Sequence, residues 1–313
     1  MRILVTGGAG FVGSHLCEAL TKEHTVLCLD NFLTGSIGNI RHLLDRKGFK
    51  LLQGDVRERE TVNRAMRDVD AVFHLAAQVH VDRSYIEPEL TWDINVKGTQ
   101  TILESARAHD VGRVIFASSS EVYGTAQNGP IDEDHPLSAP HPYGASKIAA
   151  DRMCHAYAVT YDMPVNIVRC FNIFGPRQRE VGYGAVISIF VRRALAGRPA
   201  MIYGDGSQSR DFTYVDDAVK GYLAVLERGQ HDRHPVNFGR GEDITILDLA
   251  RTISWAVRNG EIPPVHVHPR KGEVQRLIAN PGRARKFYDW QVSAPIEEDL
   301  KRFVEWYRVY GSL

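Results

Sequence analysis

Residues 2–20 constrain this chain more than any other segment. A short apolar run, Arg2-Ile3-Leu4-Val5-Thr6, leads into Gly7-Gly8-Ala9-Gly10-Phe11-Val12-Gly13 and then Ser14-His15-Leu16-Cys17-Glu18-Ala19-Leu20. The first piece reads as a strand, the second as a tight turn, and the third as an amphipathic helix. Glycine has a separate job at each place: Gly7 turns the chain, Gly10 lets the backbone approach a pyrophosphate, and Gly13 lets the helix lie close on the strand. An anion then rests on free N–H groups at the positive end of the helix, around Phe11 and Val12. The Gly-x-x-Gly-x-x-Gly spacing differs slightly from the usual dinucleotide fingerprint, but the geometry asked of the backbone is similar.

The next strand, Thr25-Val26-Leu27-Cys28-Leu29, ends in Asp30, followed by Asn31. A carboxylate about 20 residues beyond the glycine turn suits a ribose diol and repels a 2′-phosphate, so NAD is expected over NADP. Further apolar runs at 50–53, 71–75, 113–117 and 165–169 are mostly separated by helical patterns at 58–67, 89–109 and 147–161. Alternation of this kind predicts an α/β fold, a Rossmann-type doubly wound parallel sheet covered on both faces. Ligands of such sheets collect beyond the carboxyl ends of the strands. There the chain offers Gly7–Gly13, Asp30-Asn31, Asp55-Val56, Ala76-Ala77, Ser118-Ser119-Ser120 and Phe171-Asn172. Past Gly175-Pro176 turns become denser, including Gly182 and Gly184, and helices at 185–196, 216–227, 245–259 and 296–310 alternate with short strands. The expected division is a dinucleotide-binding domain over 1–172 and a smaller α/β substrate-binding cap over 173–313, with the chain crossing between them more than once.

Lys+Arg and Asp+Glu both number 38, for a formal net charge of zero. That balance gives no electrostatic case for nucleic acid, so substrate phosphates must be met by a few placed arginines. Cys17, Cys28, Cys154 and Cys170 lack paired spacing and read as buried free thiols of a reducing compartment. No apolar stretch approaches a membrane span, and a strand starting at residue 2 leaves no room for a leader, so a cytoplasmic location is expected. The pair His266-x-His268 reads as one face of an edge strand rather than a metal site, and no metal is expected.

In Tyr143-Gly144-Ala145-Ser146-Lys147, a helix beginning near Tyr143 stacks the phenol and the ammonium on one face. An ammonium held close to a phenol favours the phenolate and brings a poor base toward neutral pH. The lysine keeps donors for other oxygens, such as cofactor ribose hydroxyls.

With the glycine turn and Tyr143…Lys147 together, the chain resembles the extended short-chain dehydrogenase/reductases, specifically the NAD-dependent nucleotide-sugar epimerases and dehydratases. The resemblance continues through Gly54-Asp55-Val56, His74-Leu75-Ala76-Ala77, Asn95-Val96-Lys97-Gly98-Thr99, Ser118-Ser119-Ser120-Glu121-Val122-Tyr123-Gly124, Arg169-Cys170-Phe171-Asn172 and Arg210-Asp211-Phe212. It implies that Tyr143 takes the proton of a sugar 4-hydroxyl while NAD transiently oxidises C4. Ser119, with Ser120 beside it, bridges the tyrosine and the 4-oxygen. Asp55 and Val56 meet the adenine, although Asp55 also reads as an N-cap for the helix that follows. Asn172, Arg210 and Arg270 hold the nucleotide diphosphate of a substrate for which uridine is the favoured base. Relatives of this kind pair as homodimers through two helices per subunit, corresponding here to 89–109 and 147–161.

Glu121 bears on the subtype. A 4-epimerase needs no second base, whereas removal of water across C5 and C6 needs a base for the C5 proton. A carboxylate beside the reactive carbon is costly to bury without a use. The expectation is therefore a sugar 4,6-dehydratase with Glu121 as base, with a UDP-glucose-type 4-epimerase or a UDP-glucuronate decarboxylase as alternatives.

Overall fold

The structure, a computed structural model, describes residues 1–179, 185–229, 233–270 and 272–311. Gly182 and Gly184 lie outside the described residues. Seven strands form the main sheet: β1 (Arg2–Thr6), β2 (Thr25–Asp30), β3 (Phe49–Gln53), β4 (Ala71–His74), β5 (Arg113–Ala117), β6 (Val165–Cys170) and β7 (Val236–Phe238). Their spatial order is β7-β6-β5-β4-β1-β2-β3, and all pairings are parallel. The doubly wound parallel sheet expected from the alternating pattern is what forms. Its order reverses between β1 and β4, which opens a crevice there.

The longer helices are α1 (Phe11–Leu20), α2 (Arg59–Met66), α3 (Gly98–Ala108), α4 (Pro142–Thr160), α5 (Val186–Leu195), α6 (Val215–Arg228), α7 (Ile246–Arg258) and α8 (Ile296–Tyr310). Two apolar layers result. On one face α1 packs on α6, and its buried Leu16 and Leu20 join Ile3, Val5 and Val26 of the strands. On the other face α2 packs on α3, with Val62, Ile102 and Leu103 against Leu4, Val72 and Val114. Successive residues of one strand thus serve opposite layers, as the two-residue repeat of a pleated strand requires.

Two departures from the sequence pattern have physical reasons. The helix expected over 89–109 forms as Pro88–Trp92, a π-helical turn at Asp93–Lys97, and α3. The wide turn presents buried Asn95, whose Oδ1 accepts from the Gln78 backbone N–H at 2.8 Å and whose Nδ2 donates to Ser146 Oγ at 2.9 Å. Strand β7 lies far along the chain yet pairs with β6. Its Asn237 accepts from the Tyr123 hydroxyl at 2.7 Å.

At the switch point the His74 imidazole is buried between Thr6 and Thr99. The Thr99 hydroxyl donates to the Asn95 carbonyl at 2.6 Å, so it accepts from His74 Nε2–H, and Nδ1 accepts from Thr6. Burial, reinforced by Lys147, holds His74 neutral and lowers its pKa to about 3. A folded-state value below the unfolded one gives stability that is complete above the unfolded pKa near 6.5 and is lost as pH falls below it. Between about pH 7 and about pH 5, wild type should lose about 2 kcal/mol more stability than a His74→Gln variant, measured by urea denaturation.

Candidate functional site

A cleft of about 330 Å³ runs along the carboxyl ends of the strands. Gly7, Gly10, Phe11, Val12, Gly13, Asp30, Asn31, Val56, Ala76, Ser119, Ser120, Glu121, Tyr143, Lys147 and Asn172 all line it. Residues from six strand ends and two helices therefore meet at one surface.

The middle of the cleft is the start of α1. Gly10 occupies the N-cap without a capping side chain, and no acid stands in the first turn. The helix N-terminus thus keeps its positive end for a ligand. Gly7 has φ +70°, and a Cβ there would lie 2.7 Å from the Ala76 backbone nitrogen. A Cβ on Gly13 would lie 2.1 Å from the Gly7 carbonyl oxygen.

At one end stands Asp30. Its Oδ2 accepts from Ala9 N–H at 2.9 Å and its Oδ1 from Phe32 N–H at 2.8 Å, while burial raises its pKa against those bonds. Asp55 stands behind this end rather than in the cleft lining. Its carboxylate accepts a two-pronged contact from Arg57 at 2.9 and 2.8 Å and one bond from Asn31 at 2.8 Å, which hold its pKa down at about 2. The N-cap of α2 is Glu58, so Asp55 does not cap that helix.

At the other end stands the phenol. Helix α4 starts at Pro142, so Tyr143 and Lys147 do fall one turn apart. Ser119 caps the short 3-10 turn Ser120–Val122: its Oγ accepts from Glu121 N–H at 3.2 Å. That leaves the hydroxyl proton free to donate elsewhere, and Ser119 acts to lower the pKa of the Tyr143 phenol. The net shift of the phenol runs opposite to the one expected from Lys147. Burial pushes Tyr143 up to about 12, with Ser119 opposing and Glu121 adding to the rise. Lys147 is lowered to about 8 by its own burial; its Nζ donates to the Ala117 carbonyl at 2.5 Å and sits over the Phe116 ring. Spacing along a helix fixed the turn but not where the ammonium points.

Sequence reasoning missed His141. It lies two residues before Tyr143, is 5 % exposed, and its Nε2 is 3.0 Å from Glu121 Oε2. A polar residue ahead of a proline at a helix start signals an N-cap. Nothing in the sequence pairs it with Glu121.

Underneath, Asp151 of α4 accepts both Nε and Nη2 of Arg169 at 2.9 Å and the Ser118 hydroxyl at 2.7 Å. Arg169 also donates to the Tyr123 hydroxyl at 2.8 Å. This buried network fixes the end of β5 against α4 and β6, and so fixes the Ser118–Tyr123 loop.

Arg210 and Arg270 lie apart from the phenol, in a second cavity of about 160 Å³ that shares Asn172 with the cleft. Arg210 Nη2 donates to Glu273 at 3.0 Å, and the Arg270 guanidinium stacks 3.8 Å above the Tyr203 ring. His266, of the strand Val265–Val267, has its Nδ1 2.8 Å from the Gly204 carbonyl. Among the described residues no group of three His, Cys, Asp or Glu side chains assembles as a metal site, and the four cysteines are free and buried.

The model of the GDP-mannose 4,6 dehydratase family matches residues 4–303. The chain belongs to the nucleotide-sugar epimerases and dehydratases of the extended short-chain dehydrogenase/reductases. A putative UDP-glucose 4-epimerase of Methanocaldococcus jannaschii is 36% identical over 310 residues, 97% of each chain. Two solved structures superpose with a TM-score of 0.92. One is a dTDP-glucose 4,6-dehydratase from Streptomyces venezuelae with NAD bound, 32% identical over 100% of this chain and 98% of that one. The other is a UDP-glucose 4-epimerase from Thermotoga maritima with UDP-glucose, 31% identical over 99% of each. The family is NAD-dependent, and the free helix end, the Gly7–Gly13 approach and the Asp30 carboxylate fit a dinucleotide.

Gly13→Ala should therefore strip the protein of dinucleotide. After mild purification, bound NAD released by acid should fall from near stoichiometric in wild type to at least about tenfold less in the variant, because the backbone approach that shapes the turn is lost.

Proposed function

We propose that the protein is an NAD-dependent nucleotide-sugar 4,6-dehydratase in which Glu121 takes the chemistry beyond C4. The observation that carries this reading is Glu121 itself, 7 % exposed, lining the cleft beside Tyr143 and Ser119. A carboxylate loses much hydration on burial, and here it faces the position of the reacting sugar.

Gly7, Gly10, Phe11, Val12 and Gly13 hold the pyrophosphate of NAD. Asp30 and Asn31 accept and order the adenosine ribose, Val56 and Ala76 flank the cofactor, and Lys147 reaches the second ribose. Asp55 acts on the adenine end by fixing Asn31. Bound NAD supplies a transient oxidation at C4 of the sugar. Tyr143 would accept the proton of the 4-hydroxyl as the phenolate, the form that burial disfavours and that Ser119, donating to the phenol oxygen with Ser120 beside it, favours. The resulting ketone acidifies C5. Glu121 takes the C5 proton as that C–H pair becomes the C5–C6 double bond and the C6–O bond breaks. The carboxyl then gives the same proton to the departing 6-hydroxyl, so water leaves and the carboxylate is restored. The hydride removed from C4 would return to C6 and a proton from solvent would add at C5, which leaves a 4-keto-6-deoxy sugar with no net redox change.

Asn172, Arg210 and Arg270 take the nucleotide diphosphate, for which two guanidinium groups supply the charge that a protein of zero net charge lacks elsewhere. A UDP-sugar is favoured, as in the Thermotoga maritima structure with UDP-glucose. Homodimerisation through the 88–108 segment and α4 accounts for the exposure of Trp92, Val159 and Tyr161. The buried free thiols suit a cytoplasmic location.

A second reading, a 4-epimerase, is favoured by the Methanocaldococcus jannaschii and Thermotoga maritima relatives. It assigns Glu121 no proton. Mass spectrometry after incubation with UDP-, TDP- and GDP-sugars separates the readings. A dehydratase product is lighter by about 18 mass units (one water), a decarboxylase product by about 44, and an epimer is unchanged. We expect the loss of water, its disappearance in Glu121→Gln, and a fall of about 10²- to 10⁴-fold in Tyr143→Phe. An isomer at unchanged mass, formed equally well by Glu121→Gln, would reject the dehydratase.

A further inference from the structure

We infer that His141 is the positioning residue of Glu121: it holds the carboxylate from behind through Nε2–H, in a tautomer locked by the helix that carries Tyr143. This rests on the dehydratase reading for its chemical consequence, though not for its geometry.

The first turn of α4 has free N–H groups, and the His141 side chain serves as its N-cap: Gly144 N–H donates to Nδ1 at 2.9 Å. An N–H donor needs a lone pair opposite it, so Nδ1 carries no proton. In a neutral imidazole the proton then stands on Nε2. Nε2 faces Glu121 Oε2 at 3.0 Å, and the bond runs from Nε2–H to the carboxylate. The side chains are 3 % and 10 % exposed, so little water competes for the bond. A hydrogen bond to a charged acceptor away from water is among the stronger ones available to a protein.

Two consequences follow for the proton steps. The bond uses Oε2 and leaves Oε1 as the oxygen for a ligand in the cleft. It also makes Glu121 move with α4, because His141 caps that helix and its ring lies parallel to the Tyr143 ring, 6.0 Å between centroids and 14° between planes. The groups acting on C4 and C5 thereby share one rigid frame, with Ser119 fixed to Glu121 by its own cap on the Glu121 N–H. His141 touches neither the sugar nor the cofactor in this scheme. Its effect passes entirely through Glu121.

His141→Asn is the discriminating variant. Asparagine is a good N-cap and keeps an acceptor for Gly144 N–H, yet it is too short to reach Glu121. NAD-loaded wild type, His141→Asn, Glu121→Gln and the double variant are compared with whichever sugar of the panel is turned over, or with UDP-glucose if none is dehydrated. Two rates are read: formation of reduced nicotinamide in the first turnover, for C4, and deuterium uptake from solvent, for C5. The expected result is a loss of about tenfold or more in C5 exchange for His141→Asn. C4 oxidation should stay near wild type at temperatures well below the melting point of every variant, and adding His141→Asn to Glu121→Gln should have no further effect. Equal losses in both rates, or a full further loss in the double variant, overturn the inference. Imidazole ¹⁵N NMR tests it even if no C5 exchange exists. The resonances absent from His141→Asn should show a bare Nδ1 and a protonated Nε2, with the Nε2–H signal displaced in Glu121→Gln. A protonated Nδ1, or a signal indifferent to Glu121→Gln, overturns it. A displaced signal without C5 exchange would leave the inference standing and remove the dehydratase reading alone.

Discussion

Helix α1 can begin where it does because only hydrogen stands on Gly13: a Cβ would sit 2.1 Å from the Gly7 carbonyl oxygen. That approach sets the angle at which the helix leaves β1, and with it the direction of its N-terminal amides. It also brings Leu16 and Leu20 down on the sheet, where they meet Ile3, Val5 and Val26. The same few ångströms thus shape one apolar layer and the floor of the cleft. Gly7 faces Ala76 on the other side, where a Cβ would sit 2.7 Å from the backbone nitrogen, so the ends of β1 and β4 are fixed together with the turn.

The reactive end depends on a different kind of contact. Ser118, Asp151, Arg169, Tyr123 and Asn237 form a buried chain of hydrogen bonds joining β5, α4, β6 and β7. Removing one member would leave a buried charge or hydroxyl without its partner, which costs more than the bond itself contributes. Above this chain, backbone ends and side-chain caps set direction: Ser119 on the Glu121 amide, His141 on the Gly144 amide. The pattern is a rigid polar base carrying small, capped turns, which suits a site where atoms must be placed to a fraction of an ångström.

Much of this was legible in the sequence. Long elements declare themselves through repeats, so the strands at 2–6 and 113–117 and the helix at 296–310 appear where their periodicity puts them. The residues past each strand end were legible for the same reason, since a parallel sheet gathers them on one edge. Three things were not. Strand β7 has three residues, too few for any repeat to show. The direction of the Lys147 ammonium depends on the Ala117 carbonyl, which is distant along the chain. The Glu121–His141 contact joins two loops whose approach only the packed helix defines. Asp55 was visible as a carboxylate beyond a strand, but its capture by Arg57 and Asn31 is a matter of local rotamers.

Strand β7 also bears on how the chain is made. Strand β6 is buried along its whole length, and its outer edge is closed by residues 236–238. A nascent chain that has reached only about residue 180 therefore has a central sheet with one raw, apolar margin. The same chain lacks Asn237, the acceptor of the Tyr123 hydroxyl. Ribosomal synthesis adds residues at about 5–20 per second, so this open margin persists for seconds before the covering strand is made. The dinucleotide half is the first to be translated, but it acquires its last strand from the sequence that follows it.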